Sequence, residues 1–136
     1  MHSDYTFMKS KIIIYFSLLA LLMSSCGKDV TDVEGKWRLS TRPITGYDYY
    51  WEFTAIDDES GSVSILTQDT ITQEVDTCSK GVYTVKNRVI NIGAPVDFCE
   101  WHTFDGEWDI HKLDDEFLTV IRYLPRGTIY LEFIKE

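Results

Sequence analysis

From residue 35 onward, apolar and polar side chains alternate with a period of two. In YDYYWEFTAI, Tyr49, Trp51, Phe53 and Ala55 fall on one side, and Tyr50, Glu52, Thr54 and Ile56 on the other. In FLTVIRY, Leu118 and Val120 oppose Phe117, Thr119 and Ile121; in TIYLEFIK, Ile129, Leu131 and Phe133 oppose Tyr130 and Glu132. Alternation of this kind, rich in β-branched and aromatic residues, is the mark of half-buried antiparallel strands. It predicts strands over 36–42, 48–56, 62–68, 71–76, 80–86, 89–93, 106–113, 117–124 and 128–135, with a weaker pattern near 97–103. Short turn-like segments, such as Asp57–Gly61, Asn87-Arg88, Asp114–Glu116 and Pro125–Gly127, join neighbouring patterns. Strands joined so tightly are antiparallel neighbours. The fold class is therefore all-β, an antiparallel up-and-down β-barrel of about eight strands, with a β-sandwich as the alternative. Tyr50, and with it Tyr47, is expected at a rim or outside, because alternation cannot turn every aromatic of this cluster inward.

Before the alternation begins, the chain carries a different signal. Lys9 and Lys11 precede an apolar run from Ile12 to Met23, which is followed by Ser24, Ser25 and Cys26. A charged start, a short apolar run and small residues make a secretory signal over 1–25, too short to cross a bilayer comfortably as a helix. Leu22-Met23-Ser24-Ser25-Cys26 resembles the lipobox of bacterial lipoproteins. That resemblance implies that Cys26 is acylated and becomes the new N-terminus. Each buried methylene contributes roughly 0.8 kcal/mol, so several acyl chains moor a protein stably without spanning the membrane. The expected address is the cell envelope, with the protein lipid-anchored to the outer membrane and facing the periplasm or the cell surface. Residues 26–34 read as a lipidated N-terminus and tether, and residues 35–136 as the barrel domain.

The 111 residues from Cys26 to Glu136 suffice for one domain with a single core. They carry 11 Lys and Arg against 21 Asp and Glu, a formal charge of −10. So negative a surface argues against nucleic acid as a partner. The first strand opens EGKWRLS, and Gly35-Lys36-Trp37 resembles the G-x-W motif on the first strand of lipocalins. The segments KGVYTVKNRVINI and EWDIHKLDDEFLTVIRY resemble the small lipocalin-like lipoproteins that many bacteria export. The resemblance implies that Trp37 plugs the closed end of the barrel and that an arginine near the last strand, Arg122, packs over it. The T-D-x-x-Y segment of lipocalins has no counterpart in this chain.

Cys78 and Cys99 are the other two cysteines, and in an exported chain they suggest a disulfide. It would close a loop of about twenty residues, worth roughly 3 kcal/mol by chain entropy. Two buried free thiols are one alternative. A metal site built from Cys99 and His102, completed by Cys78 and His111, is another, although no C-x-x-C pair is present. The acidic residues gather at turns, where charge runs are usually solvated. No G-x-S-x-G elbow, Gly-rich phosphate loop or cofactor motif stands out, so the reading is non-catalytic. Tyr49, Trp51, Phe53 and Trp108 are the candidates to line a cavity for a small apolar molecule, and this binding module is the first functional expectation. The second is a protein-interaction or inhibitory module with a filled barrel, its partner unspecified. A hydrolase is the third.

Overall fold

A computed structural model of the chain describes residues 29–41, 45–93 and 104–136. Within them eight strands follow one another: β1 (Gly35–Leu39), β2 (Tyr47–Ala55), β3 (Ser60–Asp69), β4 (Val75–Lys86), β5 (Val89–Gly93), β6 (Gly106–Leu113), β7 (Phe117–Leu124) and β8 (Gly127–Lys135). Each is antiparallel to the next, and β1 also pairs with β8, so the sheet closes into an up-and-down barrel. This is the barrel of the sequence reading and not the sandwich.

One of the expected strands resolves differently. Residues 71–76 do not form a strand of their own: Thr70 to Thr72 make a turn, and Val75 already belongs to the twelve-residue β4. The cause is Asp69, whose Oδ1 accepts hydrogen bonds from the backbone N–H groups of Ile71 (2.7 Å) and Thr72 (2.9 Å). An aspartate that bonds to backbone two residues ahead makes a turn where the apolar pattern alone suggests extension. The pattern near 97–103 lies outside the described residues, as do the signal segment and Cys26.

The segment Asp29–Glu34 is the second departure from expectation. Read as tether, it is instead a turn packed into the barrel, with Val30 and Val33 fully buried in the common core. Asp29 builds the turn by accepting from the backbone N–H and the hydroxyl of Thr31 (2.8 and 2.6 Å). Three-residue spacing then turns both valines the same way, under β1. Tyr83 donates its hydroxyl to the carbonyl of Val30 at 2.9 Å and fastens the turn to β4.

Inward positions from all eight strands form one cluster that includes Trp37, Trp51, Phe53, Ile65, Tyr83, Ile92, Trp108, Leu118 and Phe133. The strands alternate in direction, so β1 and β6 begin at opposite ends of the barrel. One end carries the start of β1, the end of β8 and the turns at 56–59, 87–88 and 114–116. The other carries the turns at 70–74 and 125–126 and the start of β6.

Candidate functional site

The sequence proposes an interior lined by Tyr49, Trp51, Phe53 and Trp108, and the structure brings three of the four together. Trp51 is the hub. Its ring lies 5.9 Å from Phe53, 5.3 Å from Phe104, 5.5 Å from Trp108 and 4.6 Å from Phe133, measured between centroids. Phe53 in turn stands edge-on to Tyr83 at 4.8 Å. Edge-to-face and tilted pairs at these separations are the favoured aromatic geometries. Trp51 and Phe53 are 1% exposed and Trp108 is 2% exposed. A void able to hold a water molecule would leave exposed area on the rings around it, and these rings have almost none. The side chains chosen as ligand contacts therefore contact one another. Tyr49 is only part-buried, near the start of β2.

Both ends of this core are finished the same way. At the start of β1, Trp37 donates its indole N–H to the carbonyl of Val33, four residues earlier, at 2.8 Å. At the start of β6, Trp108 donates to the carbonyl of Phe104, again four residues earlier, at 2.9 Å. In each case a glycine two residues before the tryptophan has positive φ, 130° at Gly35 and 106° at Gly106. Only glycine enters that region without steric cost, so the chain can turn sharply and drop the indole inward. In each case a cation from the neighbouring strand covers the ring. Lys135 Nζ is 5.0 Å from the centre of Trp37, and the guanidinium carbon of Arg122 is 3.9 Å from the centre of Trp108.

This arrangement corrects one expectation. Arg122 does not pack over Trp37; that place belongs to Lys135, and Arg122 serves the second tryptophan at the other end. Register is the reason, because Trp37 lies directly opposite Lys135 across the β1–β8 seam. Arg122 is fixed further by donating Nη2 to the carbonyls of Phe104 (3.2 Å) and Asp105 (2.5 Å). Burial pulls its guanidinium below the ordinary value. The sequence holds the signal that was missed: VEGKW and FDGEW are the same five-residue pattern of apolar, acidic, glycine, charged and tryptophan.

Tyr50 is a second correction. Its outward position holds, but it is buried, not exposed on a rim. Lys36 Nζ lies 4.3 Å from its ring centre and its hydroxyl donates to Gln68 Oε1 at 3.0 Å. Tyr47 is exposed, as expected.

The carboxylates at the turns are occupied with backbone. Asp57 Oδ1 accepts from Glu59 (2.9 Å) and Ser60 (2.7 Å), and Asp114 Oδ1 accepts from Glu116 (2.9 Å) and Phe117 (2.8 Å). These bonds to the charged form hold Asp57, Asp69 and Asp114 below the usual carboxylate value. A general acid needs the opposite shift. Of the proposed metal set, His111 is exposed on the bulge between Ile110 and Lys112, and Cys78 packs part-buried against the core. Cys99 and His102 lie outside the described residues, among which no group of three or more potential ligands gathers.

Among the described residues, two hollows open to solvent on the outer face. One, of about 480 Å³, lies between the β2–β3 turn and the end of β4 and is lined by Asp58, Glu59, Thr84, Val85 and Lys86. The other, of about 180 Å³, lies between β6 and β7 and is lined by Glu107, Asp109, Ile121, Arg122 and Tyr123. The fold thus defines a closed antiparallel β-barrel with an aromatic interior and shallow exterior hollows. No protein-family model, curated protein or solved structure matches the chain.

Proposed function

We propose that this chain is a lipid-anchored envelope protein, attached to the outer membrane through Cys26. Its lipocalin-like barrel acts as a non-catalytic interaction module through its outer surface. One observation carries the choice of the filled-barrel reading over a cavity for a small apolar ligand: Trp51, Phe53 and Trp108 pack against each other where such a ligand would sit. The occupation of the turn aspartates by backbone amides favours a scaffold over a hydrolase.

The anchor also gives the barrel an orientation. Only Gly27 and Lys28 separate Cys26 from Asp29, where the packed turn begins. Three residue steps reach about 10 Å at most. The end bearing the start of β1 therefore faces the bilayer, and the end bearing the β7–β8 turn faces away. A bond from Cys78 to Cys99 completes the proposal, supported by the disulfide-bonded state of Cys78. It would tie the β5–β6 connection to β4.

Two measurements test the reading. Radiolabelled palmitate should enter the wild-type chain and not Cys26→Ser, and the variant should leave the membrane fraction. Gentle solvent extraction of the purified chain followed by mass spectrometry should return no stoichiometric apolar molecule. Recovery of one at a one-to-one ratio would overturn the filled-barrel reading and restore the small-ligand expectation.

A further inference from the structure

Outside the core, the sheet face across β6, β7 and β8 combines features that the barrel itself does not need. Glu107 and Asp109 alternate with the buried Trp108 and Ile110, so both carboxylates point outward. Asp109 lies directly opposite Ile121, and Ile121 directly opposite Tyr130. Directly opposed residues on one face sit close enough for their side chains to touch. Tyr123 follows Ile121 on the same face, and Tyr123 and Tyr130 are 69% and 43% exposed. The hollow of about 180 Å³ is lined by these two carboxylates, Ile121, Tyr123 and Arg122, whose guanidinium is held by the Phe104 and Asp105 carbonyls over the Trp108 ring. Neither Glu107 nor Asp109 has an ion-pair or side-chain hydrogen-bond partner among the described residues.

The two halves of this surface ask for one kind of side chain. An exposed tyrosine and an isoleucine favour aliphatic carbon, and a tyrosine face also attracts a cation. Two unpaired carboxylates two residues apart favour a cationic head. Lysine and arginine carry both properties, an apolar stem and a charged tip. We propose that this face docks a lysine- or arginine-bearing segment of another protein, its charged tip between Glu107 and Asp109 and its stem along Ile121 and Tyr123. Charge complementarity selects this occupant, because residues 26–136, of formal charge −10, repel acidic surfaces and attract basic ones. Position agrees with it: Glu107 near the start of β6 and Tyr123 near the end of β7 belong to the half of the barrel that faces away from the bilayer. The proposal rests on the interaction-module reading and names its surface and the chemistry of its partner.

The test uses the full acylated chain in detergent micelles and a fluorescein-labelled tetralysine peptide, followed by anisotropy at low and moderate salt. The double variant Glu107→Gln/Asp109→Asn should weaken binding by about tenfold or more, as expected when charges at the contact itself are removed. The control Asp58→Asn/Glu59→Gln removes the same formal charge from the other hollow and should change binding by less than about twofold, because exposed charges at a distance are screened. Tyr123→Ser should weaken binding, and Tyr123→Phe should retain it. Equal weakening by the two double variants would assign the binding to overall acidity and overturn the proposal, as would no weakening by either. Self-association of the chain that Glu107→Gln/Asp109→Asn abolishes would also overturn it, assigning the face to a second copy. Extraction of an apolar molecule from the interior would instead sink the filled-barrel reading and leave the tetralysine comparison intact.

Discussion

The guanidinium of Arg122 lies 3.9 Å from the centre of the Trp108 ring while its Nη2 shares the Phe104 carbonyl with that tryptophan's indole N–H. One carbonyl thus organises a ring, a cation and the start of a strand. Replacing Arg122 by alanine should lower unfolding free energy by about 1–3 kcal/mol, since it removes the cation over Trp108 and the charged donor to the Phe104 and Asp105 carbonyls. Arg122→Lys should recover only part of this, because an ammonium is a point charge without the planar fork that stacks and donates together. Urea denaturation of the three proteins would check the order.

Two glycines provide a test of backbone geometry. Gly106 has φ of 106° and Gly93 has room for a Cβ, its nearest neighbour being Val82 at 3.7 Å. Gly106→Ala should cost about 1–3 kcal/mol from enforced strain. Gly93→Ala should be close to neutral or slightly stabilising, because it lowers only the freedom of the unfolded chain. Equal melting-temperature losses for the two would refute the strain account.

Trp51 predicts the consequence of emptying the core. Trp51→Ala should cost about 3–5 kcal/mol, the range for deleting a large buried aromatic. It should also create the apolar space that the wild-type barrel fills, so that a small aromatic such as benzene raises the melting temperature of the variant alone. Stabilisation of the wild type by benzene would contradict the packed interior.

Tyr83 supplies a pH dependence at the alkaline end. Burial, with the charges of Glu34 and Asp29 adding to it, pushes its hydroxyl up to about 12. An unfolded tyrosine ionises near 10. Its contribution to stability is therefore intact below pH 10 and is lost as pH rises through 12. Denaturation midpoints of wild type and Tyr83→Phe should differ at pH 8 and converge by about pH 12. A constant difference would assign the tyrosine a purely steric role.

The turn aspartates give the opposite limb. Backbone amides hold Asp57, Asp69 and Asp114 below the usual carboxylate value of 3.8, so their contribution is present above it and is lost as pH falls below it. Melting temperature should drop between pH 5 and pH 3, and Asp69→Asn should flatten part of that slope.

The strands were legible because half-burial imposes alternation residue by residue, and YDYYWEFTAI could adopt little else. The interior was legible only as a set: alternation identifies Trp51, Phe53 and Trp108 as inward, but how tightly they fill the barrel depends on neighbours from distant strands. Val30 and Val33 were lost for a different reason. A turn has no periodicity, and two valines among Asp29, Asp32 and Glu34 read as polar linker until Tyr83 and Trp37 are seen to bond their carbonyls. The Arg122 assignment failed through register, which no single strand encodes. The repeated VEGKW and FDGEW pattern was there to be read, but as a repeat of five residues it falls far below the length of a structural unit.

The seam between β1 and β8 is the shortest interstrand ladder apart from its hydrogen-bonded extensions: Trp37 with Lys135, Arg38 with Ile134 and Leu39 with Phe133, reinforced by the Arg38–Glu136 ion pair at 2.6 Å. Because that seam is zipped, the backbone of Trp37–Leu39 and Phe133–Lys135 presents no open edge to a passing chain, and strand addition is denied there. At that seam a visitor must be recognised by side chains. By the same token, fibrillar stacking has to wait for three rungs to open, and mutations that loosen them should surface first as aggregation.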